Sequence, residues 1–198
     1  MGIIIGILLA AKSIVIVTGL VAFNKAAISV PPPTLIVTER DVRLSGEVRN
    51  AFTRDLRKLA ATGAEIPLYL YVEVRQPRVD KPLRTAVAGN SLTYDLIDKK
   101  YRVVGSAGSD TLWFGTLDSA VTRACAFGDI EVIPLTEVRA DGQYYFSVYG
   151  VLGKARVEAL QGNTIDLMQY WDYKRPGVRT EAYAGLVLLQ AVTPKATP

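Results

Sequence analysis

The stretch from Met1 to Phe23 is apolar apart from Lys12 and a few small or hydroxyl residues. At about 1.5 Å per residue, a helix over Gly2 to Phe23 is roughly 33 Å long, enough to cross a hydrocarbon core of about 30 Å. That run dictates the expected layout: a transmembrane anchor over 1–24, a proline-rich stalk over 25–33, one soluble strand-rich domain over 34–192, and a flexible tail over 193–198. Pro31, Pro32 and Pro33 favour a stiff, extended spacer. A cleavable secretory signal is the rival reading. It should open on a basic segment and close on small residues, but no Lys or Arg precedes Lys12 and no A-x-A pattern stands out among Ala22, Ala26, Ala27 and Ser29.

Lys12 sits near the middle of the run, where a charge costs roughly 2.5 to 3.5 kcal/mol on insertion scales. The surrounding apolar residues outweigh that cost. Two readings of Lys12 stand: it snorkels to the interface, or it meets a polar group on another membrane helix and is a membrane-partner contact.

Composition removes whole reaction classes. The chain has no histidine and one cysteine, Cys125. Internal disulfides, His or Cys metal clusters, triads built on histidine and dithiol redox chemistry are therefore excluded. Cys125 falls in a predicted helix with Leu117, Ala120, Val121 and Ala124 and is expected in the core as a small apolar residue. The net charge of +4, from 23 basic and 19 acidic residues, is scattered. No basic run is interleaved with stacking aromatics, so nucleic acid is not an expected partner. No cofactor and no metal are expected.

Beyond the run and its prolines, about 165 residues remain, enough for one domain with a real core. Residues 34–44 are β-branched and read as a strand. Ser45 is expected to cap a helix bearing Val48, Phe52, Leu56 and Leu59 and ending near Gly63. Leu68, Leu70, Val72 and Val74 then alternate with Tyr69, Tyr71, Glu73 and Arg75, the period of a strand with one core face. Leu92, Tyr94 and Leu96 face Tyr101 and Val103 across Asp98-Lys99 as a hairpin. Thr111–Phe114 reads as a short strand, and Thr116 caps a helix running to about Phe127. Ile130 and Val132 start another strand. Tyr144, Phe146, Val148 and Leu152 form an inward face, continued by Ala155 either in one strand bent at Gly150 or Gly153 or in two strands. Residues 164–177 are ambiguous. The run Leu186 to Leu189 reads as a final buried strand. The expected fold class is α+β, mainly an antiparallel sheet or sandwich with about two helices, plus the N-terminal transmembrane helix.

Tyr69 and Tyr71 share a strand face opposite the core, as do Tyr145 and Tyr149. Tyrosine suits interfaces because it joins a large apolar area to a polar tip. With Trp171 these four are the candidate interface residues; burial beneath the helices is the competing reading. An apolar pocket near Trp113 and Trp171 is a second candidate. Carboxylate pairs, for example among Asp166, Asp172 and Glu181, are chemically possible catalysts, but no spacing joins them in a reacting geometry.

Ile66-Pro67-Leu68 opening an alternating strand, Leu92-Thr93-Tyr94 leading to Lys100-Tyr101-Arg102-Val103, and Gly115-Thr116-Leu117-Asp118-Ser119-Ala120 at a helix start together resemble a bacterial envelope family. That family is a domain of unknown function with an N-terminal membrane segment, often encoded beside a sensor histidine kinase of the nitrogen-regulation type. The resemblance covers roughly residues 34–175; the strand expected after Gly177 is not part of its pattern. It implies no catalytic residues. It does imply a bacterial inner-membrane, single-pass protein with its soluble domain in the periplasm. The function expected is that of a non-catalytic accessory or interaction subunit whose partners are other membrane or envelope proteins and the lipid bilayer. A lipid- or small-ligand-binding envelope domain is the alternative.

Overall fold

A computed structural model describes residues 27–105, 111–156 and 164–191. The expected anchor with Lys12 and the expected tail lie outside the described residues. No helix among the described residues is long and apolar enough to cross a membrane.

In chain order the first half contains β1 (Thr34–Val37), β2 (Asp41–Glu47), α1 (Arg54–Ala60), β3 (Ile66–Arg75), β4 (Arg84–Asp95), β5 (Lys100–Gly105) and β6 (Thr111–Phe114). There follow α2 (Leu117–Cys125), β7 (Ala126–Pro134), β8 (Gln143–Leu152), β9 (Lys154–Arg156) and β10 (Thr164–Asp166). A 3-10 turn over Leu167–Trp171, β11 (Gly177–Arg179), β12 (Tyr183–Ala184) and α3 (Gly185–Gln190) complete the described chain.

The alternation read in β3 organises the whole. Ile66, Leu68, Leu70, Val72 and Val74 are all fully buried, while the residues between them are half-buried. β3 pairs antiparallel with β4 on one side and β8 on the other. The resulting seven-stranded sheet runs β11-β8-β3-β4-β5-β6, with β12 also on β8. A three-stranded sheet, β1-β2-β7, supplies Val42, Leu44, Val132 and Ile133 to the same hydrophobic cluster. Its strand β7 packs on β4, and Ala120 and Ala124 of α2 and Leu56 of α1 complete that cluster. The fold is α+β, mostly antiparallel sheet with three short α-helices among the described residues.

The first helix departs from the sequence expectation. Ser45 caps nothing: β2 continues through it, and Ser45 and Gly46 pair with Thr34 and Phe127. Val48 and Phe52 are buried from a connecting loop, where Val48 N–H donates to the Cys125 carbonyl (3.0 Å). Asn50 then turns the chain with a left-handed backbone (φ 56°), a conformation that asparagine tolerates and a helix interior does not. The cap is Thr53, whose Oγ1 accepts from Leu56 N–H (3.4 Å). The four-residue spacing of Val48 and Phe52 therefore comes from two separate burials and not from a helical face.

The second helix begins on Thr116 as expected, with Ser119 N–H donating to its hydroxyl (3.3 Å). It ends at Cys125, where the buried Asn90 amide donates to the carbonyls of Ala124 (3.0 Å) and Ala126 (2.9 Å). The hairpin pairs Tyr94 with Tyr101. Its turn does without glycine because Asp95 Oδ1 accepts from the N–H groups of Ile97 (2.8 Å) and Asp98 (2.9 Å), and Lys99 takes the left-handed position (φ 51°). Leu96 consequently lies in the turn and not on the inward face. Gly153 separates β8 from β9, so the two-strand alternative is the one realised.

Two further expectations are corrected. Residues 185–190 form α3, not a strand, since a short apolar run carries no period that distinguishes the two. Gly185 and Leu188 are its buried positions, three apart, and Gly185 N–H is held by the Gly142 carbonyl (2.8 Å). The described part of the expected stalk is docked on the domain. Ser29 and Arg49 exchange two backbone hydrogen bonds (2.8 and 3.2 Å), and Val30 is buried.

Candidate functional site: the outer sheet face

Because β3 alternates, whatever its odd positions carry must point away from the core. In register, Tyr71 lies opposite Tyr149, Tyr69 opposite Val151, and Arg75 opposite Tyr145, so the tyrosines of two distant segments share one face. The Tyr71 and Tyr149 rings stack with centroids 5.2 Å apart and planes 2° from parallel. Tyr149 Oη donates to Glu73 Oε1 (3.1 Å), and Arg75 Nε donates to Glu73 Oε2 (2.8 Å). Partial burial, then the Glu73 carboxylate, push the Tyr149 phenol above its ordinary pKa. The phenol keeps its proton and its donor role at neutral pH. Glu73 is neutralised by Arg75, which leaves this part of the face aromatic and without net charge.

The expected interface residues divide. Tyr69, Tyr71 and Tyr149 are half-buried on the outer face. Tyr145 is only 8% exposed, covered by the Arg179 guanidinium 3.6 Å above its ring. Trp171, at 2% exposed, lies in the core, where its Nε1 donates to the Ala51 carbonyl (2.9 Å). It offers no area to a partner. Two residues not foreseen join the face. Val87, 48% exposed, stands opposite Tyr71 on β4. Trp113, 47% exposed, stands beside Arg102 at the β6 edge. Val87 was hidden because β4 begins at Arg84, eight positions before its readable alternation at Leu92. Trp113 was expected at an apolar pocket with Trp171, and its place on this face follows only from the β5–β6 register.

Trp171 underlies an open groove of about 1090 Å³ at the end where residue 27 joins the domain, and Trp113 is not among the groove's lining residues. Ile28, Phe52, Val121 and Tyr170 contribute apolar lining there, and Arg54 and Arg175 are charged lining residues. Cys125 also borders the groove, but burial pushes its thiol up to about 12, so it is protonated and poorly nucleophilic.

Of the three candidate carboxylates, Asp166 and Asp172 have separate partners for their side chains. Asp166 Oδ1 accepts from Met168 N–H (3.0 Å) at the start of the 3-10 turn, and Asp172 pairs with Lys174 (3.8 Å). Glu181 accepts the Thr180 hydroxyl on its backbone carbonyl (2.8 Å). Among the described residues no group of three or more His, Cys, Asp or Glu could hold a metal ion. Lys12 lies outside the described residues. What the outer face can supply is stacked aromatic area with phenolic hydrogen bonding.

Fold and face together define a β-rich α+β domain with one side of its main sheet left half-exposed. The chain belongs to the family described as domain of unknown function DUF4390, which matches residues 25–160. Comparison with curated proteins and with solved structures finds no match.

Proposed function

We propose that this protein is a non-catalytic, membrane-anchored accessory or interaction subunit of a bacterial envelope complex. Residues 1–24 cross the inner membrane once, and the domain stands in the periplasm. The observation that carries this reading is the outer face of β3, β4 and β8. Tyr71 and Tyr149 are pre-stacked there beside Val87, with no second layer over them among the described residues. Aromatic area already locked in one rotamer loses little entropy when a partner covers it.

Val87→Glu places a charge in the centre of this face without touching the core. A surface change of this kind shifts stability by about 0.5 kcal/mol or less. Affinity capture of the full chain from its own membranes should lose, in this variant, the partners that the unaltered chain retains, with an unchanged thermal midpoint. Retention of every partner would remove the face from the interface.

A further inference from the structure

The groove lies at the end of the domain where the chain enters, and that placement gives it a specific neighbour. Ala27 and Ile28 line it, and Ala27 is fixed by its carbonyl accepting from Asn50 Nδ2 (3.2 Å). Only Asn24, Lys25 and Ala26 separate Ala27 from the apolar run that ends at Phe23. The four Cα–Cα steps from Phe23 to Ala27 reach at most about 14 Å. The docked segment at Ser29 and Val30 leaves no spacer to lift the domain further.

The charges around the groove are not balanced. Its carboxylates are taken: Glu47 by Arg49 (2.6 Å), Asp55 by Lys58 (3.2 Å) and Asp172 by Lys174 (3.8 Å). Arg57 is engaged by Asp118 (2.6 Å). Arg54 and Arg175 line the same groove and have no carboxylate partner among the described residues. Between Asp172 and Lys174, Tyr173 is held in a left-handed backbone (φ 56°), which a bulky residue rarely adopts. Tyr173 is 67% exposed. An exposed tyrosine in the segment that carries Lys174 and Arg175 is the chemistry of a membrane–water boundary.

We propose that this end of the domain rests on the bilayer surface, with Arg54 and Arg175 receiving the phosphates of anionic phospholipid headgroups and Tyr173 at headgroup level. The inference rests on reading residues 1–24 as the anchor. Each arginine adds attraction to an anionic surface that is lost at high salt.

The test uses the full chain with vesicles of phosphatidylcholine alone or mixed with phosphatidylglycerol. Flotation is followed by amide hydrogen exchange of residues 50–57 and 172–175. The chain should float with both, and exchange at these amides should slow only on the anionic vesicles. In Arg54→Glu with Arg175→Glu the slowing should fall by about fivefold or more per arginine and vanish in high salt. Equal exchange on both vesicle types, or slowing that survives the double substitution, overturns the docking surface while leaving the anchor intact. Flotation with anionic vesicles alone, abolished by the double substitution, upholds docking and overturns the anchor. Flotation with neither overturns both.

Discussion

Trp171 shows how one residue can be misread when only its neighbours in sequence are known. Surrounded by Tyr170, Asp172 and Tyr173, it looks like part of an exposed aromatic cluster; in the fold its indole closes the core and satisfies the Ala51 carbonyl. Trp171→Phe keeps most of the apolar bulk but removes one of the two hydrogen bonds to that carbonyl, leaving it the Thr53 N–H (3.2 Å), and the loss of one buried hydrogen bond costs about 0.5–1.5 kcal/mol. The urea midpoint should fall accordingly. Gly185 is constrained for a different reason: a methyl group there would run into the Arg139 carbonyl. Gly185→Ala should destabilise by about 1–3 kcal/mol, as overpacking does, read in the same unfolding curves. Asp41 is a residue with a readable pH signature. It is buried, and the hydrogen bonds from Arg43, then from Thr38, hold its carboxyl below its ordinary value against the opposing effect of burial. The stability it contributes is present above about pH 4, its unfolded value, and is lost as pH falls through the lower folded value. Asp41→Asn should flatten that part of the acid limb of a thermal-stability profile; an acid limb identical to that of the unaltered chain would show that other groups set it.

Elements with one strong period were legible in the sequence, and elements set by tertiary contacts were not. β3 was readable because the four alternating apolar residues Leu68, Leu70, Val72 and Val74 leave no other period, and α2 because Thr116 precedes a clear helical face. α1 was displaced because Val48 and Phe52 are buried from a loop at a spacing that imitates a helix. Thr53, its actual cap, has only its hydroxyl to announce it. Thr53→Ala should cost about 1 kcal/mol, whereas Ser45→Ala should leave helix content unchanged by circular dichroism. α3 was read as a strand because four consecutive apolar residues fit either structure. Its start depends on the turn at Ala140–Gly142, more than 40 residues earlier. The candidate site was half legible for the same reason. The alternation placed Tyr69 and Tyr71 outward, but their meeting with Tyr149 required the β3–β8 register, and the covering of Tyr145 required Arg179 from β11.

At the scale of the whole molecule, the described chain carries two surfaces. One is the aromatic face of the seven-stranded sheet; the other is the cationic groove where the chain enters, and they adjoin where Arg175 of the groove precedes the β11 strand that pairs with Tyr149. The pair suits a domain that rests on a bilayer through the groove and presents a sheet face to a protein partner. The most direct measurement is site-specific photo-crosslinking of the full chain in its native membranes. The probe is placed at Val87 on the face, or at Ile97, 91% exposed in the β4–β5 turn, as the comparison. A discrete crosslinked protein from Val87, weak or missing from Ile97 and lost when Tyr71 and Tyr149 are both replaced by Ser, is the expected result. Equal yields from the two positions, or no product from Val87, would contradict an interface on this face.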